Sequence, residues 1–221
     1  GVDTDFCSPE KGTKMVLDDI GLDLSGAKEI VTYVSRGFEP YRGFPQFMDA
    51  MRIVLKDRPK CELVLVGEDR VWYGNASPDK RTYKQIEIDK GGLDMSRVHF
   101  VGRRSRADYV KILRAGDVHV YLTRPFILSW SLLESMATGC CLVSSATPPV
   151  EEVIEDGVNG LLADFRSPRH IASRIEEALD DKALRKRIAK AGRETIVERY
   201  ALPKMLQKQI TMIETQLQLV R

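Results

Sequence analysis

The chain has 221 residues, 43% apolar and 30% charged, an ordinary composition for a soluble globular protein with a sizeable core. Its 34 Lys and Arg against 32 Asp and Glu leave a formal charge of +2, which argues against a nucleic-acid partner and makes any anion site local. Four cysteines (Cys7, Cys61, Cys140, Cys141) without C-x-x-C spacing, three scattered histidines (His99, His119, His170) and no apolar run near the roughly 18 residues of a membrane span weigh against a disulfide scaffold, a metal centre and a transmembrane segment.

Residues 1–26 are rich in Gly, Asp, Ser and Thr, carry no sustained period and read as a linker or N-terminal extension, with a preceding segment expected. From Glu29 onward, short β-branched runs alternate with longer amphipathic stretches, the pattern of βαβ units feeding a parallel sheet. Strands are predicted at Ile30–Val34, Glu62–Val66, Val98–Val101, Val118–Leu122, Cys141–Ser144 and Gly160–Ala163. Phe47, Ala50, Met51, Val54 and Leu55 share one helical stripe after the first strand. Ile171, Ile175, Ala178 and Leu179 repeat it behind a Ser167-Pro168 cap, and Leu206, Ile210, Ile213 and Leu217 mark a last helix. The fold class is therefore α/β, a doubly wound Rossmann-like parallel sheet of about six strands over residues 27–200, followed by a C-terminal helix over 201–221.

Ligands of such a sheet bind beyond the carboxyl ends of its strands. After the first strand, Arg36 and Arg42 flank a Gly- and Pro-shaped turn. Two readings stand: a clamp on a diphosphate through charge-assisted bonds, or solvated arginines paired with carboxylates such as Glu39. After the fourth strand, Ser129 or Ser131 caps a helix that runs to Gly139. Its N-terminus at Ser129, Trp130 and Ser131 is either a phosphate site or an ordinary hydrated helix end. Glu134 in that helix either satisfies orphan amides or accepts from a vicinal diol such as a ribose. The loops Gly67-Glu68-Asp69 after the second strand and Gly102-Arg103-Arg104 after the third complete a pocket wall, while Trp72 and Tyr73 line the site or anchor their loop, anchoring being preferred. No G-x-G-x-x-G, Walker A or G-x-S-x-G sequence occurs, which argues against a nicotinamide enzyme, a P-loop NTPase and a serine hydrolase.

Several ordered blocks resemble the C-terminal domain of the retaining GT-B glycosyltransferases of group 1, family 4. The segment Gly1–Phe6 with Ser8-Pro9 is similar to the run from acceptor domain to donor domain. Ser35–Gly43 resembles the donor loop, with Arg36 at its arginine and Arg42 where a lysine usually stands. Phe100–Arg103, Arg114–Val118 and Glu151–Gly160 match further segments, and Leu133–Gly139 matches the second half of the glutamate-x7-glutamate motif. The first glutamate of that motif is replaced by Phe126.

The resemblance implies that this chain is the donor-binding half of a hexosyltransferase-type enzyme that transfers sugar from a nucleoside-diphosphate sugar to an acceptor. It also implies retention of configuration, no metal and no cofactor beyond the substrate. By this carry-over Arg36, Arg42, Ser129, Trp130 and Ser131 hold the diphosphate; Glu134, Gly67, Gly102 and Arg103 face the nucleotide and ribose; and Phe126 and Leu128 lie by the donor sugar. The implied partners are a missing N-terminal acceptor-binding domain and, through it, the inner face of the membrane. The implied setting is the cytoplasm and polysaccharide biosynthesis. The isolated half is expected to be inactive. Two other readings remain: a GT-B nucleotide-sugar epimerase half, and a non-catalytic nucleotide-binding or interaction module, which Phe126 encourages.

Overall fold

The computed structural model describes residues 1–219. Residues 1–26, read as a linker from their composition, are packed onto the domain. They carry a small antiparallel hairpin, β1 (Val16–Leu17) and β2 (Leu22–Asp23), whose Leu17 is buried together with Met15 against the main sheet. Val2 bridges to Ala201, and Val2 and Cys7 are buried. These anchors are single residues in irregular backbone or in a two-residue strand, so no period announces them.

The predicted strands form one six-stranded parallel sheet: β3 (Glu29–Gly37), β4 (Cys61–Glu68), β5 (Val98–Gly102), β6 (Val118–Tyr121), β7 (Leu142–Ser145) and β8 (Leu161–Ala163), in the order β5-β4-β3-β6-β7-β8. The first strand runs three residues beyond its predicted end, because Gly37 pairs with Glu68 after a shift of register. Although the strands are apolar almost throughout, their residues still divide by parity. Val31, Tyr33, Leu63 and Leu65 enter one core cluster, and Ile30, Val64 and Val66 another. The first cluster is closed by α1 (Phe44–Asp57) and α6 (Pro168–Asp180), and Ser167 caps α6 by accepting from the His170 N–H.

On the opposite face lie α3 (Arg106–Ala115) and α4 (Trp130–Thr138), with α7 (Lys182–Arg199) packed over α4. The short helices α2 (Tyr83–Asp89) and α5 (Pro148–Glu151) complete the connections. The final helix α8 (Leu202–Leu219) forms where the apolar spacing places it, but its stripe meets nothing in the described chain: Ile213 is 56% exposed and Leu217 61%. No helix among the described residues is long and apolar enough to cross a membrane.

Strand order reverses between β3 and β6, so the crevice at their carboxyl ends is the topological switch point of the sheet. At the centre of that pair, His119 of β6 is buried, its Nδ1 2.9 Å from the Thr32 hydroxyl of β3 and its Nε2 without a partner. Burial pushes its pKa from 6.5 down to about 3. The unfolded chain therefore takes up a proton below pH 6.5 that the native state refuses. The stability contribution of neutral His119 is complete above that pH and falls by about 1.4 kcal/mol per unit as pH drops toward 3. Urea unfolding at pH 7.0 and 4.5 should show His119→Asn losing less stability on acidification than the wild type, by about 2–3 kcal/mol; equal losses would contradict this assignment.

Candidate functional site

The loop after β3 folds back through a short 3-10 turn at Pro40–Arg42, and Gly43, at φ 67°, turns the chain into α1. A side chain at Gly43 would run into Leu122, its Cβ 2.6 Å from that of Leu122, so the left-handed turn and the close approach both require glycine. This turn buries Arg42 beneath the switch point. Its Nη1 donates to the Tyr121 hydroxyl (2.9 Å) and the Thr123 hydroxyl (3.1 Å), and its Nη2 to the Ile127 carbonyl (3.1 Å). All of these acceptors are neutral, and no carboxylate among the described residues lies within ion-pair distance of Arg42. A buried guanidinium without a counter-ion costs desolvation energy that neutral acceptors offset only in part, and a bound anion would complete the compensation.

Ser129 is the residue that caps α4: its Oγ accepts from the Ser131 N–H at 3.3 Å. The Ser129 N–H donates to the same Tyr121 hydroxyl that receives Arg42, so the helix N-terminus and the buried arginine are joined through one phenol. Arg36, Gly67, Arg103, Ser129, Trp130, Ser131 and Glu134 line a single cavity of 330 Å³ at the carboxyl edge of β3 and β4. Arg42 lies in a narrower cleft beside it that shares Ser35, Arg36, Ser129 and Ser131. Three residues singled out from the sequence fall outside the wall. Gly102, at φ 70°, turns the chain just before Arg103. Leu128 packs against the core beneath α4. Phe126 stands edge-on to Tyr41 and Tyr73, at centroid distances of 5.5 and 5.4 Å, with the Arg42 guanidinium 5.3 Å from its ring.

One polar residue of the wall had no signal in the sequence. Tyr109, one turn into α3, lines the wall while its hydroxyl is buried without a hydrogen-bond partner; burial, then the nearby Glu134 carboxylate, raises its pKa. Glu134 is itself 3.5 Å from Arg106. Arg104 lines the cavity while its guanidinium is held by Asp19, so the N-terminal segment takes part in shaping the site. Glu39 does not pair with Arg36 or Arg42: its Oε2 accepts the backbone N–H groups of Trp72, Tyr73 and Gly74. Trp72 both anchors its loop and lines the cavity. All four cysteines are free and buried, and burial drives the thiols of Cys61 and Cys141 up to about 12, far from a reactive nucleophile. No group of three or more His, Cys, Asp or Glu side chains that could hold a metal ion occurs among the described residues.

The model of the family described as Glycosyl transferases group 1 matches residues 21–195. The chain belongs to that family. It is 34% identical over 190 residues to the lipopolysaccharide core biosynthesis glycosyltransferase LpsE of Rhizobium meliloti, covering 86% of this chain and 51% of the relative. To spore coat protein SA of Bacillus subtilis it is 26% identical over 168 residues, 75% of this chain and 43% of that one. The chain thus spans about half the length of these curated relatives.

Among solved structures, the C-terminal domain of the group 1 glycosyl transferase LpcC from Francisella tularensis superposes with a TM-score of 0.74 at 23% identity. The match covers 91% of this chain and all of that one. Anabaena HepE, solved in complex with UDP-glucose, superposes with a TM-score of 0.81 at 22% identity over 97% of this chain and 56% of its own. These likenesses establish the GT-B Rossmann-like half as the fold of this group 1 member.

Gly67 sits where the cavity floor meets the donor loop, at φ 155°, and a Cβ there would lie 2.5 Å from the Ser35 carbonyl oxygen and 3.0 Å from the Phe38 ring. Gly67→Ala should therefore lower unfolding free energy in urea by about 1–3 kcal/mol. An unchanged midpoint would show that the loop yields at no cost.

Proposed function

We propose that this chain is the donor-binding half of a retaining, metal-independent glycosyltransferase that moves a sugar from a nucleoside-diphosphate sugar to an acceptor held by a second domain. The observation that carries the reading is the buried Arg42 guanidinium, without a carboxylate partner, joined to the N-terminus of α4 at the switch point of the sheet. Arg36 and the N-terminal end of α4 flank the same position, so positive charge and the positive end of a helix dipole are in place where a leaving diphosphate would gather negative charge. Such preorganised donors are typically worth about 3 kcal/mol each in the transition state. In this reading the guanidiniums supply the charge that a metal ion supplies elsewhere, and Glu134 accepts from the ribose diol.

A nucleotide sugar in the superposed HepE structure supports the substrate class. The LpsE relative supports a place in cell-surface polysaccharide synthesis. The exposed apolar stripe of α8 supports docking of an acceptor-binding half, through which the cytoplasmic enzyme would meet the membrane. Phe126 favours a second reading, a nucleotide-binding module without transfer, because an aromatic ring replaces the carboxylate that the family motif places by the sugar.

Isothermal titration of the chain with UDP, GDP and ADP tests the proposal. One of the three is expected to bind at least about tenfold more tightly than the others, with Arg36→Ala and Arg42→Ala each weakening it by about tenfold or more, while the chain alone transfers no sugar. Absence of binding by all three would sink the donor-site reading, and robust transfer by this chain alone would overturn its assignment as half an enzyme.

A further inference from the structure

The loop after β4, residues 69–82, is tied down by one carboxylate oxygen. Glu39 is fully buried, and its Oε2 accepts three successive backbone N–H groups, from Trp72 at 3.2 Å, Tyr73 at 2.9 Å and Gly74 at 3.0 Å. A run of backbone N–H groups converging on one oxygen is the arrangement by which a loop binds an anion, and here the anion belongs to the protein. The fit is close. A Cβ on Gly37 would lie 2.2 Å from the Arg70 carbonyl oxygen and 2.6 Å from Trp72 Cδ1, so only glycine lets the loop rest on the end of β3.

The clamped loop bears on both arginines of the donor loop. Trp72 receives the Arg36 guanidinium 3.5 Å from its ring centroid, and that of Arg70 at 3.6 Å; two groups so near one centroid must take opposite faces. Tyr73 lies 5.4 Å from the Arg42 guanidinium. Neither Arg36 nor Arg42 has a carboxylate within ion-pair distance among the described residues, so aromatic faces and neutral acceptors hold them without spending their charge.

We propose that Glu39 is a positioning residue: its carboxylate clamps residues 72–74 against the sheet edge and thereby holds Arg36 and Arg42 as a preformed receptor for the diphosphate. This rests on reading the cavity as a donor site. Glu39 itself does not touch the ligand; it acts through the loop. The indole of Trp72 also has both faces occupied, so it serves as a platform for Arg36 and leaves none free to stack on a base.

Glu39→Gln keeps the size of the side chain and removes its charge. Hydrogen exchange should quicken at the amides of residues 72–74 and stay unchanged in β3 and β4. Affinity for the tightest-binding of UDP, GDP and ADP should fall about tenfold, with affinity for its parent nucleoside unaltered. Trp72→Leu leaves Glu39 in place and should give the same diphosphate-selective loss, and it carries the test should Glu39→Gln not fold. Unchanged exchange at residues 72–74, or an equal loss for nucleoside and diphosphate, overturns the clamp. Wild-type binding that neither variant alters overturns it while the donor-site reading stands; a wild type that binds none of the three nucleotides overturns both.

Discussion

A buried guanidinium held only by neutral groups organises the carboxyl edge of this sheet. The Tyr33 hydroxyl of β3 donates to the carbonyl oxygen of Arg42, the side chain of Arg42 reaches Tyr121 of β6 and Thr123 beyond it, and Tyr121 passes the contact on to the N–H of Ser129 at the start of α4. Two segments distant in sequence, residues 33–42 and 121–129, are thereby fixed around one positive charge. The arrangement is costly without an anion, because desolvating a cation is offset fully only by an opposite charge. Its place in an otherwise well-packed domain is the ground on which the proposed anion site rests.

That charge sits where chain topology makes a crevice. Helices on the two faces leave the central strands β3 and β6 in opposite directions of winding, so no crossover covers the gap between their carboxyl ends. The loops that fill the gap are positioned by rigid neighbours: α1 begins at once after Gly43, and α4 begins at its Ser129 cap. Loops held at both ends by buried elements place side chains more reproducibly than long free loops do. Residues 69–82 form the one long loop at this edge, and they are pinned near their middle by Glu39.

The parallel sheet was legible because buried strands such as Cys61–Glu68 are apolar on both faces and stand apart from the amphipathic helices between them. The helix at Leu202–Leu219 was legible from its stripe, but what covers a stripe is decided outside the helix. The docking of Val2, Cys7, Met15 and Leu17 was not legible, since single buried residues in irregular backbone or a two-residue strand leave no periodic trace. At the site, the cap at Ser129 and the arginine pair follow from local chemistry. The part played by Glu39 does not: next to two arginines in sequence it looks like an ion-pair partner, whereas its hydrogen-bond donors come from a loop more than thirty residues away. Tyr109 escaped for a related reason, because its place in the wall depends on α3 packing beside α4.

Phe126 connects the departure from the family motif to the state of Arg42. Its ring lies 5.3 Å from the guanidinium, close enough that a glutamate in its place would reach the same cation. A carboxylate there would take up part of the charge through a strong local attraction. A phenyl ring offers only its quadrupole, worth about 0.5–2 kcal/mol, and no hydrogen-bond acceptor. With phenylalanine at 126, no carboxylate at that position competes for Arg42, which in the proposed reading leaves its charge for a ligand. In the same reading it would also deprive a neighbouring sugar subsite of a carboxylate acceptor. In the proposed reading one residue therefore favours anion binding and would leave sugar recognition to the backbone around Leu128 and Ser129 and to Trp130, whose indole is exposed.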